Sequence, residues 1–403
     1  MARYDDLGRL ISTFIRFPQV GDRVSSRLLE NIYDDASVVN GYLISTTIPA
    51  EIINSLTNSR GRLVASIAYT YPNNNYCGTD YQVIADIFSY DDEGRVVTKY
   101  KVIPGLPLQK FSFTYGIQGN VLTKTFDDGK GNPKTSMFDY DRFGKLLEAR
   151  VDNKKRVAYT YNDRNMLADK DFFQNSGSVA GQTTYEYDPV RDWVTKISGA
   201  QFESPVLFSE MIAYNEYLPN SIASSFMKQY NGNINGVRYQ YFNQPSISIA
   251  YRYDEINRLM SANSGVMSNE LSEAFSYDNI GRISQKIKGA CVIPAGFNQW
   301  YVYKPNSNKL EKITHKKDPG SLLPTSFPNY EYDANGNMII DRSKKMAITY
   351  NWLNMPISFK FYASIPIDIN TLSSLPVLSE VRMLYDASGN RVLKTTYVPT
   401  RSN

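Results

Sequence analysis

Aromatic and polar residues alternate in short runs down this chain, and the runs end alike. Phe88-Ser89-Tyr90, Phe113-Thr114-Tyr115, Phe138-Asp139-Tyr140, Phe275-Ser276-Tyr277 and Tyr330-Glu331-Tyr332 each set two rings two residues apart, on one face of an extended strand. A short polar segment, most often Asp-x-x-Gly, comes next. A β-rich run such as Arg95-Val96-Val97-Thr98-Lys99-Tyr100 or Lys145-Leu146-Leu147-Glu148-Ala149 then follows. The pattern predicts strand, turn and return strand. Its lead position falls at residues 4, 57, 90, 115, 140, 161, 187, 214, 253, 277, 303, 332, 350 and 385, with most steps between 21 and 29 residues. Such a period marks stacked supersecondary units, each too small to bury its own apolar face.

The turn residues have a chemical reason. Asp-x-x-Gly fits a type I turn in which the Asp side chain accepts from turn amides and the Gly takes positive φ. The pairs are Asp5 and Gly8, Asp91 and Gly94, Asp141 and Gly144, Asp254 and Asn257, Asp278 and Gly281, Asp333 and Gly336, and Asp386 and Gly389. The fifth motif position is Gly in eight copies and Asn in three, Asn165, Asn257 and Asn354. These are the residue types that tolerate the left-handed region, so backbone geometry rather than ligand binding constrains the position. The fold class is therefore all-β, with repeated antiparallel hairpins forming a long sheet. The whole chain, 1–403, is expected to be one repeat domain with irregular insertions at about 11–56, 197–250 and 357–384. With 31 Tyr and 19 Phe, the buried face should be a ladder of rings, and the preference for Tyr suggests one wet end per ring.

These repeats resemble the YD repeats of RHS proteins, which are shared with the teneurins and with the cocoon-forming subunits of insecticidal toxin complexes. The likeness runs along nearly the whole chain. Gln229-Tyr230-Asn231-Gly232-Asn233-Ile234, Tyr253-Asp254-Glu255-Ile256-Asn257-Arg258-Leu259 and Tyr350-Asn351-Trp352-Leu353-Asn354-Met355-Pro356 are similar to the stretch just ahead of the RHS core region. The resemblance implies a spiralling sheet, open or partly closed into a hollow shell, often built around a toxic C-terminal domain released by autoproteolysis. It implies a non-enzymatic scaffold of a secreted or surface protein, partnered by the remainder of the same polypeptide or by an encapsulated toxin or effector. The family's C-terminal core, with its DPxG element and cleavage aspartates, has no counterpart. Asp318-Pro319-Gly320 reads as a turn between repeats. Residue 4 already lies inside a repeat and residue 392 has barely left one, so the chain is expected to be a piece of something longer.

Composition narrows the chemistry. A net charge of +4 over 403 residues, with both signs interspersed, leaves no nucleic-acid footprint. No apolar run reaches the length of a membrane-spanning helix, and the first residues are charged where a signal peptide needs an apolar core. The single histidine, His315, is expected in a loop and removes most histidine-dependent catalysis and zinc binding. Cys77 and Cys291 are read as two free buried thiols, with one disulfide as the alternative. The oxygen spacing of Asp333, Asn335 and Asn337 is that of a calcium loop, but Gly336 falls at the fourth place and Lys344 at the twelfth, where an EF-hand needs neither. With no nucleophile elbow, phosphate loop or dinucleotide fingerprint, the expectation is no enzyme, no metal and no cofactor. Trp193, Trp300 and Trp352 are the candidates for stacking on sugar rings. They support a second reading, a cell-surface carbohydrate-binding or adhesion module, against the plainer one in which they fill the core.

Overall fold

In the computed structural model, the described residues are 1–16, 25–43, 48–71, 81–201, 206–216, 218, 227–264, 272–289, 297–315, 329–366 and 368–398. They are almost entirely β. The strands from Ala2–Tyr4 to Leu310–His315 form one antiparallel sheet of 22 strands, each paired with its neighbours in sequence, and among the described residues no pairing joins the first strand to the last. Six further strands, from Tyr330–Tyr332 to Arg391–Tyr397, form a second antiparallel sheet built in the same way.

Each hairpin repeats one register. Tyr90 pairs with Val96 and Ser89 with Thr98, so Val97 is an extra residue on the return strand. The same shift occurs at Tyr277 and Ile283 and at Tyr385 and Arg391. A bulge of this kind strengthens local right-handed twist, and here it recurs with the repeat. Cross-strand ring pairs follow the register: Phe111 opposes Phe126 with ring centroids 4.8 Å apart, and Phe208 opposes Tyr241 at 5.7 Å.

The lead position expected at Thr57 belongs instead to Tyr33. Tyr33 pairs with Leu63, the Asp34 amide donates to the Arg62 carbonyl, and the Asp34 carboxylate accepts from the Gly61 amide. The motif is thus split, with Tyr33-Asp34 on one side of an insertion and Gly61-Arg62-Leu63 on the other. The stretch 11–56 is accordingly more regular than its composition suggests. It carries most of the strand Leu10–Arg16, the strand Ser25–Tyr33, a 3-10 turn at Val39–Tyr42 and a short helix at Ala50–Asn54. Strands Val194–Gln201, Val206–Ala213 and Gly236–Tyr241 occupy much of 197–250, where Ser198, Gly199 and Ala200 weaken the alternation. In 357–384, strands Pro356–Phe361 and Ser379–Tyr385 flank a 3-10 turn at Ile369–Ser374. Cys77, Cys291 and Asp318-Pro319-Gly320 lie outside the described residues. His315 ends the strand Leu310–His315 rather than lying in a loop.

The chain divides into two compact units, residues 1–137 with 329–403, and residues 138–328. The first holds the deepest core. Val39, Leu43, Ile48 and Ile53 of the insertion join Val64, Ile67, Val83 and Ile87 in one buried cluster. With that cover, strands Leu63–Thr70 and Gln82–Tyr90 are buried on both faces. In the second unit most strand residues are only half-buried, and the small buried group comprises Ala213, Leu218 and Ala250.

Candidate functional site

The repeat motif is used up in joining one hairpin to the next. At Asp91, Oδ1 accepts from the Arg95 amide at 2.8 Å and Oδ2 from Arg95 Nε at 2.7 Å, while the Gly94 amide donates to the Asp91 carbonyl at 3.0 Å. The Arg95 guanidinium then lies over the ring of Tyr115, the lead residue of the following hairpin, at 4.9 Å. The Tyr115 hydroxyl donates back to the Val96 carbonyl at 2.7 Å. Asp, Arg and the next Tyr therefore form one clamp between hairpins, combining an ion pair, a cation–π contact and a hydrogen bond to backbone.

The clamp repeats. Arg9 pairs with Asp5 and lies over Tyr33, Arg258 pairs with Asp254 and lies over Tyr277, and Arg282 pairs with Asp278 and lies over Tyr303. Hydroxyls of Tyr90, Tyr161, Tyr187, Tyr253, Tyr277, Tyr303, Tyr350 and Tyr385 donate to carbonyls of Leu63, Leu146, Leu167, Ile234, Leu259, Ile283, Met338 and Pro356. The wet ring end expected from the preference for Tyr is thus occupied by a main-chain acceptor. Where the cation is missing, an amide replaces it: Asn337 Nδ2 donates to Asp333 Oδ2 at 2.9 Å. Asn335 and Asn337 also direct their amide nitrogens at Asn354 Oδ1, so this oxygen-spaced segment presents donors where a calcium ion would need oxygens.

Burial tends to raise the Asp91, Asp254 and Asp278 carboxyls. Their arginine partners and the turn amides outweigh it and hold all three below the ordinary carboxylate range. The turn glycines take the left-handed region, from φ +75° at Gly8 to +93° at Gly336, and Asn165, Asn257 and Asn354 do the same at +65°, +66° and +60°. Asp141 accepts from the amides of Phe143 and Lys145, and Gly144 and Gly389 have φ +82° and +83°.

The three tryptophans occupy unrelated settings. Trp193 packs on Tyr214 with centroids 4.7 Å apart and lies under the Arg191 guanidinium. Trp352 sits in a turn and packs against the buried cluster of the first unit. Trp300 is 38% exposed on the strand Phe297–Tyr303, opposite Gln285 and Thr314. Seven strand steps, about 34 Å along the sheet at ~4.8 Å per step, separate the strand after Trp193 from that of Trp300, so the two are not neighbours in the strand order.

A different grouping emerges in the first unit. Asp86 and Lys101 are direct cross-strand partners, and Lys101 Nζ lies 3.2 Å from Asp86 Oδ2 and 2.8 Å from Asp386 Oδ2. Lys99 Nζ lies 3.0 Å from Asp86 Oδ1. All but Lys99 are buried. Asp386 is the motif aspartate of the final hairpin, where Asn390 stands in the usual Arg position, and Lys101 supplies the cation. Beside it a small crevice is lined by Leu29, Tyr69, Tyr71, Trp352, Ile357 and Tyr385. The repeat pattern gave no sign of this grouping. A signal was present in the run Val83-Ile84-Ala85-Asp86-Ile87, since a charge inside an apolar strand needs a partner. The clamp was equally readable in the Arg or Lys that recurs after the turn glycine. Among the described residues no group of three or more His, Cys, Asp or Glu is placed to hold a metal ion.

No protein-family model and no curated protein matches the sequence. Solved structures do match the fold. A TcdB2-TccC3 chain without its hypervariable C-terminal region aligns over 100% of this chain at 15% identity with a TM-score of 0.67, and a TcdB2-TccC3-TEV chain does so at 15% and 0.65. A chain of the Photorhabdus luminescens Tc holotoxin pore covers 98% at 15% identity and 0.64. This chain spans 18% of the length of each. Taken with the repeats and their clamps, these matches show that this chain has the fold of the corresponding part of the TcdB2-TccC3 chains.

Proposed function

We propose that this chain is a non-enzymatic structural scaffold, part of the β-shell of a secreted or surface RHS protein, which encloses or presents a toxin or effector domain. The observation that carries the reading is the clamp. The charged and hydroxyl groups that recur with the repeat are spent on neighbouring hairpins, which suits a wall better than a binding or catalytic surface. The likeness to TcdB2-TccC3 chains supports the same role. The test is limited proteolysis of the full-length protein containing this segment. A following domain that resists protease inside the intact protein, and is cut once expressed alone, supports enclosure; equal digestion in both settings counts against it.

The second reading, a carbohydrate-binding or adhesion module, rests on exposed Trp300. A glycan array probed with the chain and with Trp300→Ala decides it: binding lost in the variant supports the module, and absence of binding by the parent removes it.

A further inference from the structure

We propose that Lys101 and Asp386 become joined by an intramolecular isopeptide bond, with Asp86 as the group that moves the protons. The final hairpin differs from its relatives in one chemical respect. In the hairpins of Asp5, Asp91, Asp254 and Asp278, Oδ2 of the motif aspartate meets an arginine, whose guanidinium stays protonated and is not a nucleophile, and at Asp333 it meets the Asn337 amide. At Asp386 it meets a primary amine at 2.8 Å, with the Lys101, Asp86 and Asp386 side chains only 11%, 5% and 3% exposed.

The remaining geometry suits acyl transfer. Asp386 Oδ1 accepts from the amides of Ser388 and Asn390 at 3.1 and 2.9 Å, so two backbone donors already hold the oxygen on which negative charge would develop. Oδ2, the oxygen to be lost, faces Lys101. Asp86 stands directly across the strand pair from Lys101 and touches its Nζ, within reach of the protons that must move. In the reaction Asp86 takes one proton from the Lys101 ammonium and passes it to Oδ2, giving a neutral amine and a neutral acid. The amine nitrogen attacks Cγ and forms the C–N bond. Asp86 then relays a second proton from nitrogen, the Cγ–Oδ2 bond breaks, and water leaves. No oxidant, metal or activated donor is needed.

Burial raises the Asp386 carboxyl, but Lys101 and Asn390 outweigh it and keep the group below the ordinary range.

The experiment is the intact mass of the purified 403-residue chain, fresh and after prolonged incubation, followed by fragmentation of its peptides. The expected mass is lower than the sequence mass by one water, with a branched peptide linking the Lys101 and Asp386 segments. Lys101→Arg keeps the cation but cannot acylate, and should restore the full sequence mass with circular dichroism unchanged. Asp86→Asn should slow or abolish the loss. A folded parent that retains its full mass overturns the proposal. So does a loss of water that persists in Lys101→Arg, which would be a cyclised aspartate elsewhere. Unchanged bond formation in Asp86→Asn removes Asp86 from the role given to it.

Discussion

Replacing Gly281 with Val isolates the conformational demand of the repeat turn. Gly281 has φ +87°, and among the described residues beyond its chain neighbours a Cβ placed on it meets only Arg258 Nη1, at 3.8 Å, so added bulk meets ordinary contact and no clash there. The cost is then backbone strain, about 1 to 3 kcal/mol for a non-glycine residue held in a sparsely populated region, with a β-branched residue toward the upper end. Loss of glycine also stiffens the unfolded chain, which returns about 0.4 to 1 kcal/mol. A net cost of about 1 to 2 kcal/mol remains. A long repeat sheet need not unfold in one step, so the measurement should be local: hydrogen exchange by mass spectrometry over the peptide spanning residues 275–285. Exchange should accelerate about 5- to 30-fold. Gly281→Asn is the control, because Asn257 and Asn354 occupy the equivalent position at φ +66° and +60°, and its exchange should stay near the parent's. Equal acceleration in Val and Asn variants, or none in Val, would refute the argument from φ. Gly94→Val should cost about as much, since the Arg62 guanidinium that a Cβ there would meet at 2.8 Å is the end of a flexible side chain and can move aside.

Tyr277→Phe removes the hydroxyl that reaches the Leu259 carbonyl at 2.7 Å; a loss of about 1 kcal/mol, seen as faster exchange on both strands, is expected, and unchanged exchange would make that bond irrelevant to stability. The depressed carboxyls of Asp5, Asp91, Asp254 and Asp278 set a pH dependence: each group's contribution is present above the ordinary Asp range and lost as pH falls through its lower folded value. Thermal stability should thus hold from neutrality to about pH 4 and decline below it, with a shallower decline when the four are replaced by Asn; an identical acid slope would show that the clamps do not titrate. Leu7, Phe143 and Ile280 are exposed at turn tips, and replacing each by Ser should change stability by less than about 0.5 kcal/mol in urea unfolding, whereas a larger loss would mean that the tips are packed.

The local chemistry of the turn could be read from the chain because it depends on residues a few places apart: Asp91 and Gly94 announce their roles by type and spacing. The destination of the tyrosine hydroxyl could not, since Val96 is the acceptor for Tyr115 through a main-chain oxygen that every residue carries. The Tyr33 hairpin was missed because its two halves are separated by an insertion, and a motif search sees only contiguous spacing. Strand Val194–Gln201 was hidden by small residues, which occupy strand positions without marking either face. Asp86, Lys101 and Asp386 lie on different hairpins, and nothing local ties residue 101 to residue 386.

The split hairpin also says something about how such a sheet can change. Tyr33 and Leu63 keep the register that Tyr90 and Val96 keep, although residues 34–62 lie between the first pair and only residues 91–95 between the second. The closing groups, Asp34 with Gly61 and Arg62, rebuild the ends of a short turn around a much longer excursion. Because the entropy of closing a loop rises only slowly with its length, a turn of this design is a socket into which new sequence can be grafted while the wall on either side stays as it was. Diversity in such proteins can then accumulate at turn apices one hairpin at a time, without renegotiating the sheet.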